Sequence, residues 1–304
     1  MKSQVDPWGP HIPFIVLAIV YWILGTTSFL FNITYHPVFM VMGAYSFYFG
    51  MLQRLFTPAR KYLFLSLSSL IFMLIPIYMF QAISSAIVSF MLIWSIIDVR
   101  KYGGSFPMNY LVLISPLLST ISWILHNYYY LIPPLLSYVL GVNIGVFTAN
   151  IGSRAVFGIK QIPILVGVIF SYINYIAIPI TIVVYTLMIL VGKELRFSLT
   201  SVLSLTSLII VPISSIILGD IIHSFMLGVM TPMLFTCSIY STSRYNYNKA
   251  LVIPILDMMS YYLRFLTPLS GIPWLVSFIY YIALFRDNLS IVTVKTGMSK
   301  RYLM

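Results

Sequence analysis

The chain alternates long apolar runs with short polar junctions. Apolar stretches occupy 12–31, 37–53, 62–80, 82–98, 107–126, 131–151, 162–192, 197–218, 221–241 and 251–285. They are apolar on all sides rather than along one stripe, so their whole surface asks for an apolar solvent. A bilayer core about 30 Å thick takes roughly 20 such residues per helix. Lipid offers no partner to backbone N–H and C=O groups, so only helices and closed barrels cross it. A barrel needs apolar and polar residues in alternation, which these runs lack. The expected fold is therefore all-α: a polytopic transmembrane helical bundle, with 1–304 as one integral membrane domain. The first run, from Ile12, is long enough to be a genuine span rather than a cleaved leader.

Lys and Arg set the expected orientation. Arg54, Arg60 and Lys61 follow the second run, Arg100 and Lys101 the fourth, Arg154 and Lys160 the sixth. The junctions near Thr34, Gln81 and Asn127 carry none. The positive-inside rule puts the basic junctions and the amino terminus in the cytoplasm. Lys193, Arg196, Arg244, Lys249 and the tail residues Lys295, Lys300 and Arg301 join them only if 162–192 and 251–285 each cross twice. Pro268, Gly271 and Pro273 break the second. In the first, one straight helix of 31 residues would be about 46 Å long, so the break falls in Ser171–Tyr175. The expected count is twelve spans, with ten or eleven as alternatives and both termini cytoplasmic in a cell membrane.

Composition narrows the chemistry. Hydrophobic residues make up 60% and charged residues 8% of the chain, and mean hydropathy is +0.99. The net charge of +11 comes from single or paired cations between apolar runs, so it reads as a topology code and not as a nucleic-acid surface. The single cysteine, Cys237, excludes an internal disulfide, a cysteine-held iron–sulfur cluster and C-x-x-C-H haem attachment. No G-x-S-x-G, H-E-x-x-H, P-loop or paired acidic motif appears. A non-catalytic role is thus favoured over a stand-alone enzyme. Asn32-Ile33-Thr34 forms a glycosylation sequon at an expected outer junction. Gly141, Gly145 and Ala149 form a small-residue ladder, and Ser198, Ser201, Ser204 and Ser207 a polar stripe; both fit helix packing. Tyr128–Tyr130 fit an interfacial aromatic belt.

The four histidines carry the most information. His11 lies before the first span, at the inner face. His36, His126 and His223 lie at the expected outer face. His36–Gly43 and His223–Met230 resemble each other, with Phe, Met and Gly following the histidine and an Arg (Arg54, Arg244) closing the span. Two imidazoles at one depth suit the axial sites of a b-type haem, with Gly43 and Gly228 as small neighbours leaving room for the macrocycle. Interfacial histidines that bind nothing are equally ordinary. Among the acids, Asp98 and Glu194 lie beside cations at inner ends and read as solvated. Asp220, three residues before His223, reads as an orienting acceptor or a helix cap. Asp257 falls inside an apolar run, and Arg264 is two turns further on, so the two read as a pathway or a buried ion pair.

The segment from Asp220 through His223, Gly228 and Met230 to Arg244 resembles the histidine-bearing helix of the NnrS family, twelve-span haem- and copper-containing membrane proteins. His36–Gly43 is similar to that family's earlier histidine helix. The chain departs from the pattern by lacking a further His before Arg244. In composition, rich in Ile, Tyr and Ser, the chain is also similar to the hydrophobic B subunit of archaeal cytochrome b558/566. These resemblances imply a membrane subunit of a respiratory electron-transfer complex. They imply b-type haem or quinone near the outer face, with His36 and His223 as axial ligands and His126 as substitute. The partners implied are a haem-bearing subunit and other respiratory-chain proteins, besides the lipid bilayer. The alternatives are a small-solute secondary transporter using Asp257 and Arg264, and a bundle that only assembles a partner.

Overall fold

The computed structural model describes residues 7–31, 34–101, 109–191, 196–299 and 301. Asn32 and Ile33 of the sequon, and Lys193, Glu194 and Lys300, lie outside them. The described residues are helical almost throughout, apart from turns and an isolated bridge between Pro7 and Ala59. The helices are α1 (His11–Leu30), α2 (His36–Phe56), α3 (Leu63–Met73), α4 (Tyr78–Lys101), α5 (Tyr110–Ile124) and α6 (Ile132–Ile151). Then come α7 (Ile162–Phe170), α8 (Ala177–Leu190), α9 (Leu199–Leu218), α10 (Ile221–Thr242), α11 (Val252–Leu263), α12 (Gly271–Phe285) and the short α13 (Ile291–Thr296). Among the described residues six helical segments are long and apolar enough to cross a bilayer: His11–Phe29, Tyr78–Asp98, Tyr128–Ile151, Leu199–Leu218, Ile221–Thr242 and Pro268–Asn288. The protein is thus a multi-pass, all-α membrane bundle. Large side chains such as Phe64, Ile93, Val166, Leu187 and Ile217 stay exposed, an outer face that lipid satisfies.

The chain divides into two compact units, one drawn from 1–107, 113–135 and 288–304, the other from 108–112 and 136–287. In the first unit α1 and α2 form an antiparallel hairpin. The glycines of α2 let the backbones approach. A Cβ on Gly43 would meet the Trp22 indole at 2.5 Å, and one on Gly50 would meet Phe14 Cβ at 2.7 Å. Hydroxyls tie helices together where no water competes. Tyr48 donates to Ser115 (2.6 Å), and the pairs Ser69–Ser84 (2.8 Å) and Ser85–Ser119 (2.9 Å) bridge neighbouring helices. The two ends of the described chain meet in this unit. Trp8 N–H donates to Pro58 O (3.0 Å), Gly9 N–H to Val294 O (2.9 Å) and Arg54 to Gly297 O (2.9 Å).

The break between the third and fourth helices differs from the expectation at Gln81. It falls at Leu74–Ile77, around Pro76, which has no N–H to continue a helix. Gln81 is buried and donates to Met73 O (3.1 Å) and Ile75 O (2.9 Å). It supplies donors to carbonyls freed where α3 ends. Asp98, expected to be solvated, instead binds Lys61 and accepts from Tyr62 Oη (2.6 Å).

In the second unit the chain reverses at 171–176, so 162–192 is a hairpin of two short helices, α7 and α8. Asn174 closes the turn by accepting from Ile176 N–H (3.0 Å). The other expected break holds too. A 3₁₀ turn at Pro268–Ser270 separates α11 from α12. The ladder on α6 packs at one rung only. A Cβ on Gly141 would meet Val112 Cγ2 at 2.6 Å, whereas Gly145 faces open space. The serine stripe on α9 is buried at Ser201, Ser204 and Ser207, and Ser201 shares a hydrogen bond with Tyr247 (2.8 Å).

Candidate functional site

The second unit carries a polar cluster at the start of α10. Gly219, at φ 74°, ends α9 in the left-handed region that glycine tolerates. The chain then turns through Asp220 into α10. Asp220 Oδ1 lies 2.9 Å from His223 Nδ1, and Asp220 Oδ2 lies 2.5 Å from Arg264 Nε. One carboxylate thus holds an imidazole and a guanidinium. Burial alone would push the Asp220 carboxyl up. The hydrogen bond from His223 and the charges of His223 and Arg264 outweigh it and hold the group below its ordinary value. The side chains are 18%, 40% and 38% exposed for Asp220, His223 and Arg264, so the cluster opens to its surroundings.

Arg264 therefore pairs with Asp220, not with Asp257. Both Asp257 and Arg264 belong to α11 or its C-terminal cap. Seven residues of helix separate them by about 10 Å along the axis, and Arg264, at the helix end, reaches out toward Asp220. Asp257 is fully buried, and the Ser277 hydroxyl of α12 lies close enough to its carboxyl group to hydrogen-bond. The hydroxyl of Tyr261 on α11 is buried without a hydrogen-bond partner among the described residues.

Beyond His223, α10 widens into a π-helix over Ser224–Met230. Its cause is local. Pro232 has no N–H to give to the carbonyl of Gly228, four residues back. The Ser207 hydroxyl of α9 donates to that carbonyl instead, and Thr231 Oγ1 donates to Met226 O (2.7 Å). A Cβ on Gly228 would overlap Val211. The space expected beside Gly228 for a flat ligand is thus filled by a neighbouring helix, and Trp22 fills the space beside Gly43 in the same way.

The other three histidines belong to the first unit. His36 opens α2, its Nδ1–H donating to Gly25 O (2.8 Å), and its ring packs on Phe29. His126 sits exposed in a turn at φ 52°, its Nδ1 2.6 Å from Ile124 O and its ring stacked on Tyr78. His11, expected just before the first span, lies at its N-terminal end. It is the first residue of α1, fully buried, with Nε2 3.2 Å from Arg54 Nη1. No sequence pattern marks the burial and the Arg54 contact, because that contact joins residues 43 positions apart. No group of three or more His, Cys, Asp or Glu side chains able to hold a metal ion occurs among the described residues.

Comparison of the chain with protein-family models, with curated proteins and with solved structures finds no match.

Proposed function

We propose that this chain is the hydrophobic membrane subunit of a respiratory electron-transfer complex, anchoring a haem-bearing partner subunit in a cell membrane. One observation carries the reading. At His36 and at His223 a fixed acceptor engages Nδ1, the Gly25 carbonyl in one case and the Asp220 carboxylate in the other. In the neutral ring this tautomer directs the lone pair to Nε2, the arrangement that orients metal-ligating histidines. A b-type haem, where bound, would take His36 or His223 as ligand, with His126 as substitute, and would supply one-electron transfer. Gly43 and Gly228 make no room for it, since Trp22 and Val211 fill those places. The resemblance to the NnrS family and to the cytochrome b558/566 B subunit points the same way, with quinone as the other cofactor it implies. A span count of twelve goes with this reading. The hydrogen bond from Gly9 to Val294 supports an even count with both ends on one side, and the basic junctions support a cytoplasmic side.

A reduced-minus-oxidised visible spectrum of the purified chain, alone and with its co-purifying partners, tests the proposal. A b-type α-band in the chain alone supports haem ligation, and one only in the complex supports the anchoring role. No band in either preparation overturns the reading.

A second reading, a small-solute secondary transporter, is favoured by Asp257. A carboxyl group buried inside a membrane bundle, with no cation beside it among the described residues, marks a proton or ion pathway by default. Arg264 would then act from the Asp220 cluster rather than beside Asp257. Uptake into proteoliposomes driven by a proton gradient, abolished by Asp257→Asn, separates this reading from the first.

A further inference from the structure

The hairpin α7–α8 is headed by two exposed cations over an apolar groove. A cavity of about 460 Å³ is lined by Arg154, Lys160, Ile159, Pro163, Leu187 and Val191, among others. A second, of about 280 Å³, follows it along the same two helices, sharing Pro163 and lined further on by Val166, Phe170, Ile180 and Val184. The polar groups sit at one end and the apolar walls continue away from them. The backbone fixes this arrangement. Arg154 N–H donates to Ile189 O (2.8 Å), tying the loop after α6 to the end of α8. At mid-hairpin Gly167 lets α7 touch Thr181 of α8.

Both cations are exposed, and neither side chain has a hydrogen-bond or ion-pair partner among the described residues. The walls offer a soluble anion nothing beyond the two charges, because they are aliphatic and aromatic. They suit a hydrocarbon chain. The helices are also short. The 14 residues of α8 rise about 21 Å, against a hydrocarbon core of about 30 Å, so a lipid at this place must be held at an adapted depth. Basic pockets between membrane helices recognise acidic head groups. We propose that the α7–α8 groove is a binding site for an anionic phospholipid, with Arg154 and Lys160 on the phosphate and one acyl or alkyl chain along α7 and α8.

The test is native mass spectrometry of the full-length protein in detergent, titrated with phosphatidylglycerol, phosphatidylcholine or inorganic phosphate. Phosphatidylglycerol is expected to be retained preferentially. Each of Arg154→Gln and Lys160→Gln should weaken that retention roughly fivefold, and the pair roughly twenty-five-fold, with phosphatidylcholine unaffected. Leu187→Trp, an exposed position on the groove wall, should reduce lipid retention with both cations intact. The proposal is overturned if phosphatidylcholine binds equally well. Full retention of phosphatidylglycerol by the double variant also overturns it. So does phosphate alone binding as tightly as the lipid, or self-association of the chain that excludes lipid from the groove.

Discussion

Arg264 Nε lies 2.5 Å from Asp220 Oδ2, so the acid that Arg264 engages is also engaged by His223. The start of α10 and the end of α11 are joined by a carboxylate that serves both. Arg264→Gln and Asp220→Asn are each expected to destabilise the protein by about 1 kcal/mol, the upper end for a pair open to solvent. Their effects should be non-additive in a double-mutant cycle, whereas Arg264→Gln and Asp257→Asn should add. Thermal unfolding of the purified variants measures both cycles.

The same cluster sets a dependence on pH. Asp220 is held below its ordinary value of 3.8. The stability it contributes is therefore complete above that value and is lost as pH falls through the lower, folded-state value. The difference in unfolding temperature between the parent and Asp220→Asn should not shrink from about pH 7 to pH 5, because Arg264 stays charged and His223 can only gain positive charge as pH falls. It should shrink only below pH 3.8. A difference that vanished already at pH 5 would show that Asp220 is not the group responsible.

Among the described residues Asp257 has no cation to leave behind. Breaking a buried ion pair costs about 3–5 kcal/mol because one charge remains alone. Asp257→Asn should instead stay within about 1 kcal/mol of the parent, far short of that pair-breaking cost. Normal folding with lost transport in proteoliposomes would favour the transporter reading. Strong destabilisation would show that Asp257 has a partner which the geometry does not reveal.

Much of this architecture is legible in the sequence. The reversals at Ser171–Tyr175 and Pro268–Gly271 are marked by polar residues, Gly and Pro inside apolar runs. What is not legible depends on contacts distant in sequence. Gln81 reads as a junction because a polar residue between apolar runs has the same pattern whether it meets water or binds the end of the preceding helix. Asp98 reads as solvated because Lys61, its partner, stands 37 positions away. Asp220 shows in the sequence as an acceptor for His223, three residues on, but its bond to Arg264 does not. Gly43 and Gly228 look like open space, since a glycine carries no record of which neighbour fills the place of its missing side chain.

The histidines separate by what holds them. His223→Ala and His36→Ala should each remove or shift a b-type absorbance if the chain ligates haem, since axial ligation sets retention and potential. His11→Ala is not a neutral control, because it leaves Arg54 without its buried imidazole acceptor. It should lower stability by about 1–3 kcal/mol without shifting the spectrum of the protein that still folds. Spectra and unfolding curves on the same preparations distinguish the two effects.

The glycine ladder on α6 tests the packing itself. Gly141 and Gly145 occupy equivalent rungs four residues apart, yet a Cβ on Gly141 would press on Val112 Cγ2 at 2.6 Å and Leu111 Cβ at 3.0 Å, while Gly145 meets nothing within 4 Å. Asn109 closes the first contact by donating to Gly141 O (2.8 Å), and it accepts in turn from Gln161 (2.9 Å). An added methyl there must displace a branched side chain and a hydrogen-bonded amide together. Gly141→Ala should therefore cost about 1–3 kcal/mol, as overpacking does. Gly145→Ala should be neutral or stabilising by up to about 1 kcal/mol, through the helix propensity of alanine. The second helix crossing offers an internal check. Gly228→Ala should be destabilising because Val211 fills the position, and Val211→Ala in the same chain should recover part of the loss. If Gly141→Ala and Gly145→Ala behaved alike, the close approach of residues 109–112 to α6 would not exist in the folded protein.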